Sequence, residues 1–179
     1  MKLLYGPHPG CNKLHRVMPG PARKTPHNEE GLRLEAFLPY RLSILSNTIS
    51  RAIAEAYAER YDLSINEWRV MAILGRFPGS SAAEVAERAA MDKVAVSRAV
   101  SRLLDADRVH RRTDADDRRR SVLELTAAGR RIYRRITPVL LEYENALLAS
   151  LSPREQAQLD RILSRLTSEA NALGPPQLG

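Results

Sequence analysis

Cysteine occurs once in the 179 residues, at Cys11. One thiol excludes a disulfide framework and any multi-cysteine zinc site. No run approaches the roughly 18 to 20 apolar residues of a membrane-spanning helix. Near the N-terminus Leu3 and Leu4 follow Lys2, but Gly6, Pro7, His8 and Pro9 break the run. That is not a secretory signal, so a cytoplasmic location is expected. Aromatic residues make up 5%, with Trp68 the one tryptophan. Lysine is scarce: Lys2, Lys13, Lys24 and Lys93 are all there is. No carboxylate pair, metal-ligand cluster or nucleophile–base set stands in the long helical segments. No enzyme, cofactor or metal is therefore expected.

What is present is basic charge. Twenty-eight Lys and Arg face 21 Asp and Glu, a formal net charge of +7. Residues 1–33 hold +4 of it and residues 108–120 hold +3, leaving the rest balanced. The length suits one domain with a real core. A basic excess points to a polyanionic partner and says little about fold.

Residues 1–33 are rich in Pro and Gly, without apolar periodicity, and read as a tail that includes His8, Cys11, His15 and His27. Met18 offers an alternative start. From Leu34 an apolar face recurs every three or four residues: Leu38, Leu42, Leu45, Ile49, Ile53, Tyr57 and Tyr61. This predicts one long amphipathic helix over 34–62. Ser64 with Glu67 has capping-box spacing and starts a second helix, stopped by Pro78-Gly79. Ser81 with Glu84 starts a short helix, a turn follows at Ala90-Met91, and Asp92 caps the next helix. Two short helices joined by a tight turn have helix-turn-helix anatomy. Period-two alternation in Val109–Thr113 and Ser121–Leu125 then predicts a hairpin around the charged loop 114–120. Thr126 caps a long helix, and Ser152-Pro153 with Glu155 starts the last one, which ends at Gly174. The expected fold is mainly α with a small β-hairpin wing.

A helix-turn-helix followed by a basic hairpin is a winged helix. The helix from Asp92 can enter the major groove with its first turns at base edges. Lys93, Ser97, Arg98, Ser101 and Arg102 lie along its outer side. Arg98 has a second use open to it, an ion pair with an acidic neighbour. The wing can place an arginine in a narrow minor groove.

Asp117-Arg118-Arg119, followed by Leu125-Thr126, resembles the wing signature of the MarR family of bacterial transcriptional regulators. Met91 to Arg98 resembles that family's recognition-helix start, and Leu63 to Arg69 its second helix. The resemblance covers about 34–173. It implies that Arg119 enters the minor groove, that Asp117 orients it, and that Arg118 and Arg120 face phosphates. Val94 and Ala95 stand where many members have small hydroxyl residues, which moves base preference towards Ser97, Arg98 and Arg102.

The resemblance also implies a homodimer on a near-palindromic operator, acting as a repressor in the bacterial cytoplasm. Dimerisation would use 34–62 and 126–173, with Leu140, Leu147, Leu151, Leu159, Ile162, Leu166 and Leu173 joining the partner. The winged helix would span 63–125, and 174–179 would be a short tail. A small effector, an aromatic carboxylate, is expected between the dimerisation helices and the winged helix. Arg41, Ser43, Ser46, Asn47, Trp68, Arg69 and Met71 are its candidate contacts. Two alternatives stay open: a redox-responsive regulator working through Cys11, and a non-specific architectural DNA binder.

Overall fold

The structure is a computed structural model that describes residues 31–113 and 121–175. Cys11, Met18, the tail histidines and the wing loop 114–120, with Asp117, Arg118, Arg119 and Arg120, lie outside the described residues. The helices in chain order are α1 (Leu38–Glu55), α2 (Ala58–Tyr61), α3 (Ile65–Arg76), α4 (Ala82–Ala89) and α5 (Lys93–Asp105). The strands β1 (Val109–Thr113) and β2 (Ser121–Leu125) follow, then α6 (Ala127–Leu148) and α7 (Pro153–Leu173). The strands pair antiparallel, with Val109 opposite Leu125 and Thr113 opposite Ser121. This is the mainly helical fold with a hairpin wing that the sequence predicts.

One expected element is divided. The single helix over 34–62 is in fact a 3-10 turn at Leu34–Ala36, then α1, then α2. Pro39 lies in the first turn of α1, where a missing N–H has no intrahelical partner to lose. α1 stops after Glu55 because Tyr57 leaves helical geometry, at φ −132°, and turns its ring into the core. α2 lasts one turn and closes on Asp62 at φ 44°, a left-handed conformation that Asp tolerates better than most residues.

The core sits under the helix-turn-helix. Val70, Met71 and Leu74 of α3 meet Val85 of α4 and Val96, Val100 and Leu103 of α5. Val109, Leu123 and Leu125 close it from the hairpin, and Ile136 from α6. Val122 and Leu123 point to opposite faces of β2 and both are buried, and residues 79 and 80 pair with the strand's other edge. Gly79 N–H donates to the Leu123 carbonyl at 3.1 Å, and Leu123 N–H to the Ser80 carbonyl at 2.9 Å. Gly79 carries a φ of 78°, which glycine adopts without strain.

Trp68 joins the outer helices to this core. Its ring lies 5.5 Å from Tyr57 and stacks on Tyr133 of α6 at 6.0 Å. Burial pushes the Tyr57 phenol up to about 12, an effect that Arg69 partly opposes. α7 buries no residue, and Leu159, Ile162, Leu163, Leu166 and Leu173 are exposed along it.

Candidate nucleic-acid interface

The turn between α4 and α5 is built by its caps. Ser81 Oγ accepts from Glu84 N–H at 3.3 Å, and Glu84 Oε2 accepts from Ser81 N–H at 2.7 Å. α4 ends on Ala90 in the left-handed region, at φ 49° and ψ 44°. That geometry turns the chain at once, and Met91 N–H returns to the Ala86 carbonyl at 3.0 Å. Asp92 then restarts the helix, accepting from Ala95 N–H at 2.8 Å.

The caps fix which side of α5 faces out. Val96, Ala99, Val100 and Leu103 are buried against the core. Lys93, Ser97, Arg98, Ser101 and Arg102 are all exposed, as their spacing predicts. Val94 is also exposed, at 59%, whereas Ala95 is half-buried. An outward Val in the first turn offers a methyl surface and no hydrogen bond.

Two side chains on this face behave differently from the rest. Arg102 Nε lies 2.6 Å from Glu67 Oε1 of α3. Arg98 has no ion pair or hydrogen bond among the described residues. Arg111 of β1 is a residue that the sequence reading missed. It shares a cleft of about 230 Å³ with Lys93, Ser97, Val100 and the first residues of α4, Ala82 and Ala83. Only the pairing of β1 beside α5 brings Arg111 there, so no local motif could have singled it out. On the hairpin itself Arg112 donates to Glu124 Oε1 through Nε at 2.9 Å and Nη2 at 2.6 Å.

Arg108 anchors the base of the wing. Its guanidinium donates to the carbonyls of Asp62, at 3.0 Å, and Tyr61. Its own carbonyl accepts from Thr126 N–H at 3.0 Å. Thr126 Oγ1 caps α6 by accepting from Gly129 N–H at 3.0 Å. One arginine thus ties the hairpin to the end of α2 and the start of α6.

A second cleft, of about 590 Å³, opens between α1 and α3. Asn47 and Arg69, two of the candidate contacts, line it, and Arg69 Nη2 donates to Ser50 Oγ at 3.2 Å. Ser50, Arg51, Ser64 and Asn66 complete its polar wall, with Ile44 and Ile65 as its apolar part. These residues of α1 and of the start of α3 are not among the candidate contacts read from the sequence. The other expected contacts fall elsewhere. Arg41, Ser43 and Ser46 are exposed on α1 and do not line the cleft, although Ser43 Oγ accepts from Asn47 Nδ2 at 3.5 Å. Met71 is fully enclosed in the core, because the α3 face that carries it packs inward. Trp68 faces a separate apolar groove of about 690 Å³. Leu42, Leu45 and Ile49 of α1, Leu140 and Leu147 of α6 and Leu159 of α7 wall that groove.

Comparison with known proteins agrees with this geometry. The MarR family model matches residues 61–120. The HTH-type transcriptional regulator BilQ of Clostridium symbiosum is 31% identical over 100 residues, 55% of this chain and 69% of that protein. The HTH-type transcriptional repressor Rv2887 of Mycobacterium tuberculosis is 28% identical over 134 residues, 74% of this chain and 93% of that protein. A MarR/EmrR family regulator from Acinetobacter superposes with a TM-score of 0.73 at 23% identity, covering 79% of this chain and 99% of its own. MepR of Staphylococcus aureus in complex with DNA gives 0.67 at 21%, covering 75% and 97%. PcaV of Streptomyces coelicolor with its natural ligand gives 0.64 at 24%, covering 78% and 97%. No described helix is long and apolar enough to cross a membrane. The chain belongs to the MarR family of winged-helix proteins, and it is a DNA-binding transcriptional regulator.

Proposed function

We propose that the chain is a cytoplasmic homodimeric repressor that grips a near-palindromic operator and lets go when a small aromatic carboxylate binds. The observation that carries this reading is the outward face of α5, with Lys93, Ser97 and Arg98 exposed beside the hairpin. Lys93 and Ser97 sit in its first two turns, where a recognition helix meets base edges. Val94 offers a thymine methyl its apolar contact. Lys93 and Arg111 around their shared cleft suit a backbone phosphate. Ser101 lies further along the same face. In the wing loop, Arg119 is the candidate for the minor groove with Asp117 as its orienting partner, and Arg118 and Arg120 are candidates for phosphates. That Rv2887 is named a repressor supports the direction of regulation.

The apolar groove of α1, α6 and α7 receives a second copy. Leu147, Leu159 and Leu163, which line it, stay exposed in one chain, as do Ile162 and Leu166 of α7. A contiguous apolar surface of this kind marks an interface. A two-fold axis would then set two α5 helices about one DNA turn or more apart.

The α1–α3 cleft takes the effector. Arg51 and Arg69 suit a carboxylate, and Ile44 and Ile65 an aromatic body. PcaV, solved in complex with its natural ligand, supports a ligand-responsive reading. Binding shifts the dimer only if the two conformations bind the ligand unequally. A thermal-shift screen of hydroxybenzoates, hydroxycinnamates and nicotinate derivatives tests this. A true effector raises the melting temperature by mass action and releases DNA at the same concentrations. A set of such acids that does neither removes the aromatic-acid effector from the account.

A further inference from the structure

Three capping boxes occur among the described residues, at Ser64, Ser81 and Ser152. The one at Ser64 is unlike that at Ser152, whose Glu155 is exposed. Glu67 Oε2 accepts from Ser64 N–H at 2.8 Å, but the Glu67 side chain is only 3% exposed. Its Oε1 makes no well-formed hydrogen bond, and the charge facing it is Arg102, with Nε 2.6 Å away. A carboxylate taken out of water needs a cation close by.

Two cations compete for that role. Arg98 and Arg102 are four residues apart and so lie on one side of α5. Both border the same cavity of about 170 Å³, and Glu67 forms part of its wall. Arg102 holds the carboxylate, and Arg98 is left without a partner among the described residues. The side chain of Arg102 is 64% exposed, so the pair is reached from the outer edge of the cavity.

We propose that Arg102 is a positioning residue rather than a DNA contact: it occupies Glu67 and so keeps Arg98 free to read the operator. This rests on the reading of α5 as the recognition helix. Remove the Arg102 charge and the Glu67 carboxylate, buried and uncompensated, draws Arg98 inwards and away from the groove. Remove both charges and Arg98 has nothing to turn to.

The test uses the full chain and a duplex that it selects from a random-sequence DNA pool. Arg102→Gln should weaken binding to that duplex by about tenfold, within the range of coupled neighbours. Arg98→Gln should lose about as much. The double variant Glu67→Gln/Arg102→Gln should regain most of the wild-type affinity, because the Glu67→Gln amide oxygen still accepts from Ser64 N–H but attracts no cation. Glu67→Gln alone should bind like the wild type. A direct contact by Arg102 gives no rescue in the double variant. A fold defect is told apart by Arg98→Gln/Arg102→Gln: with Arg98 already withdrawn it should bind no worse than Arg102→Gln alone, whereas losses that multiply would overturn the proposal. If the double variant stays as weak as Arg102→Gln, Arg102 touches DNA itself and the proposal fails. If Arg102→Gln binds normally, or Glu67→Gln alone is equally weak, it also fails. Arg102→Lys keeps the charge pair and should bind normally. A pool that yields no preferred duplex overturns the recognition-helix reading and this proposal together. A preferred duplex without rescue overturns only the proposal.

Discussion

Trp68→Ala should lower the stability of the chain by about 3–5 kcal/mol, the usual cost of deleting a large aromatic from a core. Trp68 is 8% exposed and stands between Tyr57 and Tyr133, with ring centroids at 5.5 and 6.0 Å. Each such aromatic pair is worth about 0.5–1.5 kcal/mol beyond its buried area. The loss is felt at a junction: Tyr57 ends α1, Trp68 belongs to α3 and Tyr133 to α6. Without the indole, α1 and α6 lose their common seat on the winged helix. Urea unfolding of the two proteins measures the difference. A loss under about 1 kcal/mol, less than the two pairs together supply at the low end of that range, would mean that the stack contributes little and that the outer helices are held by something else.

Gly129→Ala should cost about 3 kcal/mol, at the upper end of ordinary overpacking. A Cβ on Gly129 would clash with the Arg108 carbonyl oxygen and stand 3.0 Å from its carbon. Both are backbone atoms, so neither can swing aside. To make room, the first turn of α6 must leave β1, and the Thr126 N–H bond to that carbonyl goes with it. The wing base then loses its fastening to α6. DNA affinity should fall along with stability, because the wing no longer holds its place beside α5. Denaturation and DNA titration on one preparation would check both. A Gly129→Ala protein as stable as the wild type would contradict the close approach.

Much of this molecule is legible from local signals. Each cap that was read from spacing forms as a cap, since Ser64, Ser81, Asp92, Thr126 and Ser152 satisfy N–H groups within their own first turn. The hairpin bounds follow from period-two alternation and carry the expected pairing. The break inside 34–62 was not legible, because Tyr57 fits the helical period and leaves the helix only for a tertiary contact with Trp68. The effector candidates suffered in the same way. Periodicity locates Met71 on α3 but does not say that its side is the core side. Arg111 and Glu67 needed the packed structure, since β1 and α3 reach α5 only through folding. The pairing of Arg102 with Glu67 shows the limit most clearly. From sequence Arg102 is one more exposed cation on a DNA-facing helix, and only its distance to a buried carboxylate gives it another role.

α5 and the wing are proposed to read one defined DNA site together. Quantitative footprinting of the DNA around the chain's own gene, with the wild type and Arg119→Ala side by side at matched salt, tests it most directly. The expected result is a bounded, near-palindromic footprint, with the variant filling the same site at a cost of about 1–3 kcal/mol. Uniform coverage of the fragment, or an Arg119→Ala protein that fills the site at the wild-type concentration, would contradict it.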